Sequence, residues 1–130
     1  MLQRRPKKSP RRERHLFVDF QVGGRRLFLD AARVTGVAEL EHFTNVPSDV
    51  PWNLGVVVFR GALYGLLDLD TVLRGRPRRP PTGLFFCVFA RFPRGVAGFP
   101  VEATARLATT YGEAPPEGKV LDLDGLEAFR

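Results

Sequence analysis

Residues 55–68 read Gly-Val-Val-Val-Phe-Arg-Gly-Ala-Leu-Tyr-Gly-Leu-Leu-Asp. Three successive valines and a phenylalanine are stiff at χ1 and fit a pleated strand better than a helix. Arg60-Gly61 supplies a two-residue turn, Ala62 to Leu67 the return strand, and Asp68 a cap for a short turn over Leu69 to Leu73.

The same pattern of short strand, tight turn and short strand extends in both directions. Upstream, Leu16 to Val22 and Arg25 to Leu29 flank Gly23-Gly24, which reads as a β-hairpin. Asp30 to Glu39 fits helix or strand equally well, with Asp30 a possible cap and Val34 and Val37 suited to either. Phe43 to Leu54 is an irregular loop rich in Pro, Ser and Asp that carries the single tryptophan, Trp52. Downstream, Leu84 to Arg91 and Val96 to Val101 form a second hairpin around Phe92-Pro93-Arg94-Gly95. Glu102 to Thr110 is again mixed in character, and Gly112 to Gly118 is loop. A short strand over Lys119 to Leu121 leads to Asp122 as a cap and a closing turn over Leu123 to Phe129.

The two halves echo each other, and each ends on Leu-Asp-Leu-Asp, at 67–70 and 121–124. The second half lacks the counterpart of the Pro-rich loop and one strand. A duplicated small barrel with an abbreviated second copy accounts for this. The expected fold is therefore all-β: two small barrels packed together, the first over about 16–73 and the second over about 84–130. The linker 74–83 contains Arg74-Gly75-Arg76-Pro77-Arg78-Arg79-Pro80-Pro81, whose prolines exclude regular structure. Each barrel is too small to be stable alone, so the two must share a core or an interface.

Charge narrows the function. The chain has 130 residues and a formal net charge of +6. Residues 1–15 hold seven basic side chains against Glu13 alone, whereas 16–130 balance. The excess thus sits in an arm too poor in apolar residues to order itself, expected as a disordered basic tail. A nucleic-acid-binding small barrel with a basic arm is the alternative function, but the arginine-rich linker has no aromatic residue on which bases would stack. No apolar run reaches the about 18 residues that span a bilayer, so a cytoplasmic protein with no membrane span is expected.

Catalytic and metal chemistry find no support. Cys87 lies within Leu84-Phe85-Phe86-Cys87-Val88-Phe89-Ala90, where a thiol acts as a small hydrophobe. His15 and His42 stand in neither metal-ligand nor triad spacing. Asp68/Asp70 and Asp122/Asp124 are explained by the repeat as caps, with no further ligand nearby. Gly23-Gly24 and Gly61 lack the helix and Lys/Ser of a phosphate-binding loop. No enzyme, cofactor or metal is expected.

The ordered set Val34-Thr35-Gly36-Val37, Val46-Pro47, Pro51-Trp52-Asn53-Leu54-Gly55, Val58-Phe59-Arg60-Gly61 and Leu67-Asp68-Leu69 resembles the CheW family. That family's usual pattern is Val-x-Glu-Val, Pro-x-x-Pro-x-x-x-x-Gly, Asn-Leu-Arg-Gly and Val-Asp-Leu-Arg. The resemblance implies two five-stranded barrels of the Src-homology-3-like kind around a groove and a non-enzymatic adaptor role in bacterial chemosensory signalling. One barrel would bind the regulatory domain of a CheA-type histidine kinase. The groove would take the cytoplasmic tip of a methyl-accepting receptor. On this resemblance three residues fall on partner-binding positions: Val34 on the kinase-contact strand, Gly36 where the family Glu contacts the kinase, and Arg60 on the Arg of the Arg-Gly turn tied to the groove and receptor coupling. Gly55, Gly61 and Asp68 fall on structural ones. Trp52 is either packed under its loop or an anchor for a partner. Gly36 stands where the family has Glu, and Val58-Phe59 stand for Asn-Leu. These departures point to a divergent system, such as one serving twitching motility.

Overall fold

The computed structural model describes residues 14–111 and 119–126. Strands β1 (Arg14–Val22) and β2 (Arg25–Asp30) are antiparallel, with Val22 opposite Arg25. Gly23 and Gly24 both have positive φ, which the two-residue turn demands. Asp30 accepts the Ala32 N–H at 2.9 Å and caps a 3-10 turn, Ala31–Arg33, that leads into β3 (Val34–Leu40). The segment that read as helix or strand is therefore a turn followed by a strand.

β4 (Asn53–Phe59) and β5 (Ala62–Leu67) form the hairpin read from the valine run, with Phe59 opposite Ala62 and both Arg60 and Gly61 at positive φ. Asp68 then caps α1 (Leu69–Arg74), accepting the Thr71 N–H, and Gly75 ends the helix in the left-handed region. β6 (Phe85–Phe92), β7 (Gly95–Tyr111) and β8 (Lys119–Val120) complete the strands. Asp122 caps a last 3-10 turn, Leu123–Gly125.

Strand pairing corrects the expected division at residues 73 and 84. β3, β6, the first part of β7, β5 and β4 form one group, in which β5 runs parallel to β7. Thr44, just past β3, bridges Val56 through two hydrogen bonds of 2.8 and 2.9 Å, which brings the ends of this five-stranded group together. β1, β2, the later part of β7 and β8 form the other group, four strands among the described residues. The physical reason is β7. It pairs with β6 up to Val101 and with β1 from Glu102 onward, bending where Ala103 takes φ 62. Four β7 residues there span two of β1, a bulge that redirects one strand into a second sheet. A repeat in sequence has thus become an interleaved pair in space.

The expected arm, residues 1–15, lies outside the described residues except for its end. Arg14 and His15 belong to β1, paired with Tyr111 and Thr110. The loop expected over 112–118 also lies outside them.

One core cluster draws on both groups, including Val18, Phe20 and Leu29 from one and Val88, Phe99 and Val101 from the other. Leu67 and Leu69 join it, as do Leu121 and Leu123, so both Leu-Asp-Leu-Asp endings point their leucines into the shared core while Asp68 and Asp122 cap. Each such burial contributes about 1.5–3 kcal/mol. A second cluster, with Leu54, Val57, Leu66, Cys87 and Phe89, fills the five-stranded group.

Candidate docking groove

β3 runs along the seam between the two groups. Its residues alternate between half-buried and exposed, the pattern of a strand with one packed face. Between it and the β1/β7 pair lies a groove of about 280 Å³, lined by Val18, Ala31, Val34, Thr35, Gly36, Val37, Ala105, Arg106 and Leu107. Seven of these nine residues are apolar or glycine, and Leu107 is 69% exposed. An apolar side chain left so open beside an apolar trough marks a surface that gains by being covered.

The groove is supported by an aromatic stack. Phe59 lies face to face with Phe89, centroids 4.3 Å apart and planes within 4°, and Tyr64 tilts against both rings. A Cβ on Gly36 would come within 2.8 Å of Phe59 Cε2. The ring therefore occupies the space that a side chain at position 36 would need. Gly36 and Phe59, two separate departures from the family pattern, are one packing arrangement. The bulge at Thr35, where Val34 faces Ala90 and Gly36 faces Phe89, lets the Thr35 hydroxyl donate to the Phe89 carbonyl at 3.3 Å.

Arg60 sits at the tip of the β4–β5 hairpin, its guanidinium carbon 4.8 Å from the Phe59 centroid, a cation–π contact. It touches the stack that supports the groove and is not among the lining residues. Gly61 occupies the same tip, with open space around it. Gly55 has φ 135, and a Cβ there would lie 2.0 Å from the Thr44 carbonyl oxygen, so the bridge that closes the five-stranded group requires glycine. Trp52 is half-buried and packs against the shared core, and its carbonyl accepts the Asp68 N–H at 2.7 Å. It does not line the groove. The Asp68 carboxylate accepts from Thr71 N–H and, at 2.6 Å, from Arg79 N–H, so it holds both α1 and the segment after it.

One end of the groove is clamped by charge. Arg33, the residue before β3, donates to both oxygens of Asp124 at 2.8 and 3.0 Å and to the Arg91 carbonyl. The hydrogen-bonded Arg33 guanidinium holds the Asp124 carboxyl below its ordinary value. Arg26 acts in the same way on Asp19 across β1 and β2, at 2.7 Å. Cys87, wholly buried, has its thiol pushed up to about 12 by desolvation, far from nucleophilic use at neutral pH. Among the described residues no three His, Cys, Asp or Glu converge as metal ligands, and no helix is long and apolar enough to cross a membrane.

A second apolar surface lies on the outer face of the β4–β5 hairpin. Val58 and Leu63 face each other across it and are 64% and 66% exposed. Sequence reasoning missed Leu63, Ala105 and Leu107. The available signal was Leu107 standing alone as a large apolar residue in the run Thr104-Ala105-Arg106-Leu107-Ala108-Thr109, which no core pattern explains.

The CheW-like domain family matches residues 16–110 of the chain. Among solved structures, the scaffolding protein TtCheW from Thermoanaerobacter tengcongensis superposes with a TM-score of 0.67. Its sequence is 17% identical, and the match covers 88% of this chain and 92% of that one, a likeness of fold. No curated protein sequence matches the chain.

Proposed function

Because the chain belongs to the CheW-like domain family, we propose that it is a non-enzymatic adaptor of bacterial chemosensory signalling, joining receptors to a CheA-type histidine kinase in the cytoplasm. The observation that carries this reading is the apolar groove between the two strand groups, with Leu107 and Val37 exposed on it. An amphipathic helical tip of a receptor would lay its apolar face there. The outer hairpin face with Val58 and Leu63 supplies a separate surface for the kinase regulatory domain. Two faces on one rigid body, sharing a core, let the occupant of one bias the other through differential affinity for array states. With Gly36 replacing the family Glu and Phe59 filling the adjoining space, the recognition surface beside the groove is uncharged at that position. That suits a divergent array, such as one controlling twitching motility.

Calorimetry with a cognate kinase regulatory domain and, separately, a receptor cytoplasmic fragment tests the assignment. Leu107→Asp is expected to weaken receptor binding about 30-fold while sparing the kinase, and Leu63→Asp the reverse. Absence of heat with both partners at protein concentrations on the order of 100 µM would overturn the reading.

A further inference from the structure

The segment between α1 and β6 is held in place as an arch. Pro77, Pro80 and Pro81 fix their own φ angles. Arg78 Nη1 donates to the carbonyls of Val50 and Asn53 at 3.0 and 2.9 Å, and the Arg79 N–H is held by Asp68. Beneath it opens a cleft of about 710 Å³, with Val22, Phe85 and Val101 among its apolar lining. Its lining shares no residue with the groove beside β3.

The charges lining this cleft are unequally committed. Asp68 already accepts two backbone N–H groups, Asp70 is paired with Arg74 at 2.7 Å and touched by Arg76 at 4.0 Å, and Glu102 accepts the Gly24 N–H. Arg78 is satisfied only by neutral carbonyls, which leave its charge unbalanced. The Arg79 side chain forms no ion pair among the described residues, and both arginines are exposed. The cleft thus presents three exposed guanidinium groups in a fixed frame against one exposed carboxylate, Glu102, because Asp68 is buried and Asp70 is paired with Arg74. Guanidinium pairs carboxylates in a two-pronged geometry. The lining's one aromatic ring, Phe85, is buried, so no base-stacking platform is presented.

We infer that this cleft binds an extended acidic peptide segment of a partner protein, its carboxylates on Arg76 and Arg79 and its apolar side chains against the half-buried Pro81 and Pro100 of the lining. This inference is independent of the groove reading, and either can fail alone.

The test is fluorescence anisotropy of the full chain with three labelled probes: a Glu/Asp/Pro/Val peptide, its Gln/Asn counterpart and an oligothymidylate. The acidic peptide is expected to bind, more weakly as salt rises, and about tenfold more weakly to the R76S/R79S variant. The charge-reversed R76E/R79E variant should prefer a Lys-substituted peptide, a readout that misfolding would not produce. Equal binding of acidic and neutral peptides, unchanged affinity in R76S/R79S, or tighter binding of the oligothymidylate would each overturn the inference.

Discussion

Placing a methyl group at position 36 sets two side chains competing for one space. The Cβ of Gly36→Ala would stand 2.8 Å from Cε2 and 3.0 Å from Cζ of Phe59. Phe59 has little freedom to retreat, because it is stacked on the fully buried Phe89. Overpacking of this kind costs about 1–3 kcal/mol, offset by about 0.5 kcal/mol from the reduced freedom of the unfolded chain. Gly36→Ala should therefore destabilise by about 0.5–2.5 kcal/mol. Phe59→Leu alone forfeits the ring stack and part of its buried area, about 1–2 kcal/mol. With the ring gone, the methyl group at 36 meets no obstacle, so the double variant should be more stable than the sum of the singles implies by about 1 kcal/mol or more. Urea unfolding with a common m-value measures all four corners of the cycle. Additivity to within about 0.3–0.5 kcal/mol would refute the claim that Gly36 and Phe59 are one packing unit.

Gly55→Ala is expected to cost about 3 kcal/mol or more, since it must abandon φ 135 or push back the Thr44 carbonyl, and an unchanged melting temperature would contradict this. The Arg33 guanidinium holds the folded pKa of Asp124 below the ordinary aspartate value, so its contribution is present above that ordinary value and lost as pH falls through the depressed one. The urea midpoint of Asp124→Asn should accordingly lie below that of the wild type at neutral pH and converge with it under strong acid. Cys87, with its thiol pushed up to about 12, should resist iodoacetamide at about pH 8 until the protein is unfolded in urea.

Much of this fold is written locally. The Gly23-Gly24 and Arg60-Gly61 hairpins, the strands that flank them and the caps at Asp68 and Asp122 follow from β-branched runs and turn residues, and the structure has each of them. Residues 30–39 and 102–110 are ambiguous in sequence because what makes strands within them is distant: β6 pairs with the first and β1 with the second. The interleaving was hidden for the same reason. The parallel contacts β5–β7 and β2–β8 join elements far apart in the chain, and the bend at Ala103 that lets β7 serve both groups involves an alanine, a residue that signals no turn. The family pattern marks Val34 and Gly36, but as kinase contacts, and ties Arg60 to the groove, whose lining holds the first two and not the third. Leu107 was not legible, because its exposure depends on how β7 and β3 come together across the seam.

The proposed function requires a receptor tip in the groove beside Leu107. Photo-crosslinking tests it most directly, with a benzophenone maleimide attached to a cysteine at position 107, the native Cys87 being shielded in the core. Attachment at Leu84, exposed on β6's approach and absent from the groove lining, serves as the comparison. A crosslink to the receptor fragment is expected from position 107 and none from 84. A crosslink from 84 with silence at 107 would contradict it.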